Sequence, residues 1–171
     1  MTILASRWWI YLKKEIFSLI GVLKEERDSY KNLLKIAQEE QKIIVSGTLN
    51  DLEVIVAAIE KLLVICGELE RKRLGIFNVL VRDKNLEGIE NLSDFSEHLD
   101  ETSSKQIRKI QKEIFDTLKE LGNISKSNAE ILEKNLNYVD FLLKSITDEQ
   151  VYQENAEKKK SSDAKLFNKR I

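Results

Sequence analysis

One histidine and one cysteine limit the chemistry open to this chain. A carboxylate-bridged di-metal centre in a helical bundle needs Glu-x-x-His pairs on two helices. His98 offers a single imidazole, with Phe95 three residues before it. Structural zinc asks for four nitrogen or sulfur ligands, more than Cys66 and His98 supply. Cys66 falls in the middle of an apolar helical seam, where a nucleophile would lack a base; it reads as a small buried filler. No Gly-x-Ser-x-Gly turn occurs, and Gly47-Thr48 lacks the Lys-Ser/Thr of a phosphate loop. His98 is expected to be exposed, and no catalytic residue, metal or cofactor is expected. The chain reads as something other than an enzyme.

The bulk composition points to helix. There are 171 residues with no proline, six glycines and 33% charged residues. The formal net charge of −1 gives the whole molecule no strong pull toward nucleic acid or an anionic membrane. Charge is uneven locally. From Asp83 to Glu101 seven acidic residues face Lys84 alone, and from Lys158 to Ile171 six basic residues face Asp163 alone. Both stretches read as solvated connector and solvated tail. A lone cysteine fits a reducing compartment. The opening "MTILASRWWIYLKKEIF" has its lysines after its apolar residues, unlike a signal peptide. No apolar run is long enough to span a membrane. A cytoplasmic protein without stable membrane insertion is expected.

The elements follow from a four-three rhythm. Leu12, Ile16, Leu19, Leu23, Glu26, Tyr30, Leu33, Ala37, Glu40 and Ile44 form a coiled-coil-like seam, as do Leu52, Ile55, Ile59, Leu62, Cys66, Leu69, Arg73, Ile76 and Leu80. Gly47 suits the left-handed end of the first helix and Thr48 the cap of the second, so the two fold back on each other. Ser6 reads as the first N-cap. Gly67 and Gly75 fit either a close helix approach or a bend. Trp8, Trp9 and Tyr11 crowd the first turns and offer a candidate contact surface or a wide core. Ile89, Leu92, Phe95 and Leu99 suggest a short helix, and "SSKQ" from Ser103 a capping box opening a third long helix. The expected fold is all-α: a long antiparallel hairpin with a third long helix, as an elongated coiled-coil-like bundle. Helices are placed at about 6–46, 49–82 and 103–149, with a short one at about 89–99. They belong to a single domain over 1–150, followed by a flexible tail over 151–171.

What remains is recognition through helical faces. On "AEILEKNLNYVDFLLKSI", Leu132, Leu136, Val139, Leu143 and Ile146 flank Ile131, Tyr138 and Leu142, an arc wider than one hairpin seam requires. Either neighbouring helices cover it or it forms a groove for a partner helix. Asn128 and Asn135, one heptad apart, either fix register or read a partner. Leu166, Phe167 and Ile171 are the apolar exceptions of the tail and are expected to be available for docking.

The ordered set Leu23, Glu26, Tyr30, Leu33-Leu34, Ala37-x-x-Glu40, Gly47-x-Leu49, Leu52, Lys61 and Leu69-Glu70-x-x-Arg73 resembles the front hairpin of the FlgN family of flagellar export chaperones. "NLSDFSEHLD" is similar to that family's middle segment, "SNAEILEKNLNYVDFLL" to its third helix, and Tyr152 and "LFNKRI" to its tail. The resemblance implies a cytoplasmic type III export chaperone. Such a chaperone binds the C-terminal helices of hook-associated proteins, the hook–filament junction proteins, and brings them to the export gate. It implies client contacts at Asn128, Leu132, Asn135, Leu136, Val139, Leu142, Leu143 and Ile146, with Leu166 and Phe167 of the tail assisting. It also implies export-gate docking at Tyr152, although the glycine that often follows in the family is absent here. A monomer or weak homodimer fits this reading. The competing reading is a coiled-coil scaffold or self-associating adaptor.

Overall fold

The computed structural model describes the backbone of residues 2–46, 49–86 and 88–167, and the side chains of residues 11–46, 50–86 and 88–144. Four helices follow in order: α1 (Thr2–Ser46), α2 (Leu49–Asp83), α3 (Leu92–Glu97) and α4 (Glu101–Phe167). No strand occurs among the described residues. Two compact units divide the chain, Met1–Asn128 and Ala129–Ile171.

Within Met1–Asn128, the seams decide the packing. Leu12, Ile16, Leu19, Leu23, Leu33, Ala37 and Ile44 of α1 are buried, and so are Cys66 and Leu80 of α2. The other apolar seam positions of α2 are half-buried. Arg73 meets Glu26, while Cys66, earlier on α2, lies near Tyr30, later on α1, so the rungs run in opposite directions and the hairpin is antiparallel. α4 runs parallel to α1, because its rungs advance together: Lys31 to Glu113 at 3.0 Å, Gln38 to Glu120 at 3.3 Å, Gln41 to Ser127 at 3.1 Å. A Cβ built on Gly67 or Gly75 would meet nothing within 4 Å, which removes close helix approach as the reason for either glycine.

The acidic connector packs on the hairpin. α2 ends in a Schellman motif: Asn85 takes the left-handed position at φ 52°, and the Leu86 N–H donates to Val81 O at 3.0 Å. Asn91 caps α3, its side chain accepting from the Asp94 N–H at 2.9 Å. Leu92 and Phe95 then enter a core with Leu12, Ile16, Leu19, Ile20 and Leu23 of α1, Phe77 and Leu80 of α2, and Ile107 and Ile110 of α4. Phe95 meets Phe77 edge-to-face at 5.5 Å, and the Lys84 ammonium lies 6.0 Å from its ring centroid while donating to His98 O. Burial depresses the Lys84 pKa, with Asp100 opposing it. His98 is exposed at the end of α3, as its sequence context suggests.

Several helix ends differ from expectation. Ser6 is not a cap, because α1 begins at Thr2: Ile3, Leu4 and Ala5 contain no breaker. α4 begins at Glu101, capped by Asp100 rather than Ser103. The Asp100 carboxylate accepts from the Ser103 N–H at 3.0 Å, and this contact holds its pKa below the usual value. The expected end near 149 is also overtaken, since α4 stays helical to Phe167 through the stretch read as a flexible tail. That stretch holds no proline or glycine and is rich in Glu, Lys and Ala, so nothing local stops the helix. The short helix covers Leu92–Glu97 rather than 89–99, yet Ile89 and Leu99 still pack on the core. Gly47 and Thr48 lie outside the described residues, as do the side chains of Trp8 and Trp9.

Candidate partner-binding surface

The segment from Ala129 owes its helix to residues of high propensity, "AEILEK", with an Asp140–Lys144 ion pair of 3.0 Å one turn apart on its polar side. The apolar residues take other faces. Leu132, Leu136, Val139 and Leu143 follow a four-three-four spacing along one stripe, and Ile131, Asn135, Tyr138 and Leu142 along the next, about 100° away. Ile131 and Leu132 are half-buried. Further along, exposure rises to 69% at Leu136, 62% at Tyr138 and 58% at Leu143, with Val139, Phe141 and Leu142 also exposed. Asn135 is exposed between them. This concentration of exposed apolar surface on one helix makes it the candidate interaction face.

Asn128 is placed differently. It is 3% exposed and belongs to Met1–Asn128, where its Nδ2 donates to Ala37 O at 3.1 Å and to Glu40 Oε2 at 2.8 Å. Both amide protons are thus spent on α1, and the residue sets the register of α4 against that helix. The side chains of Ile146, Tyr152, Leu166 and Phe167 lie outside the described residues.

No group of His, Cys, Asp and Glu capable of holding a metal ion occurs among the described residues. Among the same residues no helix is long and apolar enough to cross a membrane. Cys66 is buried, and burial together with the nearby Glu26 charge pushes its thiol pKa up, away from nucleophilic use. Sequence reasoning missed Leu74, Phe115 and Leu118, which are exposed on α2 and α4. The signal was present in residues that fall off the main stripes yet are large and apolar.

Comparison with curated proteins yields no match, and comparison with solved structures yields none. A family model does match, over residues 15–159, and its description is FlgN protein. That span takes in the hairpin, the connector and the exposed face of α4, so the chain belongs to the FlgN family.

Proposed function

We propose that this chain is a cytoplasmic chaperone of flagellar protein export that captures C-terminal helices of hook-associated proteins. It keeps them from assembling early and delivers them to the export gate. Family membership carries the general role of a flagellar export chaperone. The observation that supports the finer reading is the exposed apolar face of α4 over Leu136, Val139, Leu142 and Leu143, with Leu132 and Asn135 at its near edge and Ile146 continuing the spacing. A client helix that must not self-assemble has to cover its own apolar stripe, at roughly 25 cal/mol per Å² removed from water. A long helical face offers that cover without any rearrangement of Met1–Asn128. In this reading Asn128 fastens α4 to α1 and keeps the register from which the face projects.

Calorimetric titration with a client's C-terminal segment tests the proposal. Leu136→Asp or Val139→Asp should weaken binding by at least about a hundredfold, since each buries a charge at the centre of the contact. Helicity should be unchanged. Tyr152→Ala should keep client affinity and weaken binding to the export gate. Unaltered client affinity in the aspartate variants would remove the α4 face from the mechanism.

Val54, Leu63 and Val64, exposed on α2, favour a second reading, a self-associating adaptor. Solution mass separates the two. A permanent oligomer that hides the α4 face supports the adaptor, and a monomer or weak dimer that takes up client supports the chaperone.

A further inference from the structure

Within Met1–Asn128, α2 and α4 both lie against α1 and leave an open cleft of about 670 Å³ between them. Leu23, Glu26 and Tyr30 of α1 form its floor, and Asn91 and Leu92 at the start of α3 close one end. Three helices arranged around such a slot lack the fourth that would complete a bundle. The walls are apolar and wet: Phe115 is 68% exposed, Leu74 42% and Leu118 41%.

The charges lining the cleft do not balance. Glu26, Glu70 and Glu90 face Arg73 and Lys112. Arg73 is already engaged, 3.0 Å from Glu26 and 3.6 Å from Glu70. Glu26 is 3% exposed, and its Oε2 has no hydrogen bond of its own; Arg73 Nε donates to Oε1 at 3.3 Å. That Oε2 relies on the Arg73 contact alone, and Arg73 also serves Glu70, so a second cation nearby would relieve the surplus of carboxylate.

We infer that this cleft docks an amphipathic helix of a partner protein, which lays its apolar face on Leu74, Phe115 and Leu118 and sets an arginine or lysine over Glu26, Glu70 and Glu90. The excess of carboxylates selects against helices with an acidic centre. The inference rests on residues of Met1–Asn128 alone and stands whether or not the later face of α4 binds clients.

The test titrates the full chain with three designed helical peptides that share one apolar face and carry Arg, Gln or Glu at its centre. The Arg peptide should bind at least about tenfold more tightly than the Glu peptide, with the Gln peptide between them. Phe115→Asp should weaken the Arg peptide at least about tenfold, and Glu70→Gln should narrow the gap between the Arg and Glu peptides. Leu136→Asp should change nothing. A melting curve checks that Phe115→Asp is folded, and Phe115→Gln repeats the test without an added charge. Absence of saturable binding, equal affinity for the three peptides, or sensitivity to Leu136→Asp in place of Phe115→Asp would each overturn the inference. So would sedimentation showing that Phe115→Asp dissociates a self-associated species, because a second copy would then fill the cleft.

Discussion

Glu26 and Arg73 are the polar members that face each other across two apolar seams, with Arg73 Nε 3.0 Å from Glu26 Oε2. Burial is the larger influence on Glu26 and lifts its pKa above the ordinary 4.5, with Arg73 opposing it. A carboxyl whose pKa is raised by folding holds its proton more tightly in the folded state. Its favourable contribution is complete below 4.5 and is lost as pH rises through the folded value. Glu26→Gln removes that titration. The variant should therefore gain in Tm relative to the parent as pH rises from about 4 to about 7, read from thermal melts across a pH series. A difference that stays constant or shrinks would show that Arg73 offsets the burial in full. Both residues stand out in the sequence as breaks in a four-three rhythm. Their partnership does not, because periodicity marks the face a residue takes and not the rung it meets on the opposite helix. Asn128 makes the same point: its position on a stripe was legible, its two bonds to Ala37 and Glu40 were not.

At the scale of elements, the connector between α2 and α4 is what turns a hairpin into a core. Phe95 is fully buried, touches Phe77 and sits beneath Lys84, although it comes from a six-residue helix. Phe95→Ala should cost about 3–5 kcal/mol in chemical denaturation, as deletion of a packed core ring does. Leu136→Ala, at a position 69% exposed, should cost less than about 0.5 kcal/mol. A loss below about 1 kcal/mol for Phe95→Ala would place α3 outside the cooperative core. The apolar spacing of Ile89, Leu92, Phe95 and Leu99 announced this packing amid acidic residues, and all four reach the core. Helix ends were harder to read, because caps compete. Ser103 has capping-box spacing, but Asp100 stands a turn earlier and takes the Ser103 N–H itself. Past residue 149 the sequence loses its apolar period, yet propensity without a breaker is enough to continue α4 to Phe167.

At the scale of the whole molecule, the two units differ in what they do with apolar residues. Every member of the core cluster, from Leu12 to Ile110, lies in Met1–Asn128, and Asn128 makes its bonds to α1 inside that unit. In Ala129–Ile171 no residue with a described side chain is buried, and Leu136, Tyr138, Phe141 and Leu143 are each at least 58% exposed. The composition of α4 foreshadows this, since apolar residues go on recurring along its stripe past Asn128. Ile107 and Ile110 are buried, Leu121 and Ile124 half-buried, Tyr138 and Leu142 exposed. On the proposed reading, stability and recognition are separable along the chain. A version ending at Asn128 should unfold in a single cooperative transition, with a Tm within a few degrees of the parent, because it keeps the core cluster and the Asn128 contacts. The same version should lose measurable affinity for a client's C-terminal helix. Circular dichroism melts and calorimetric titration read the two halves of the prediction independently. A broad, uncooperative melt would mean that Ala129–Ile171 contributes to the core, and full client affinity in the shortened chain would move recognition into Met1–Asn128.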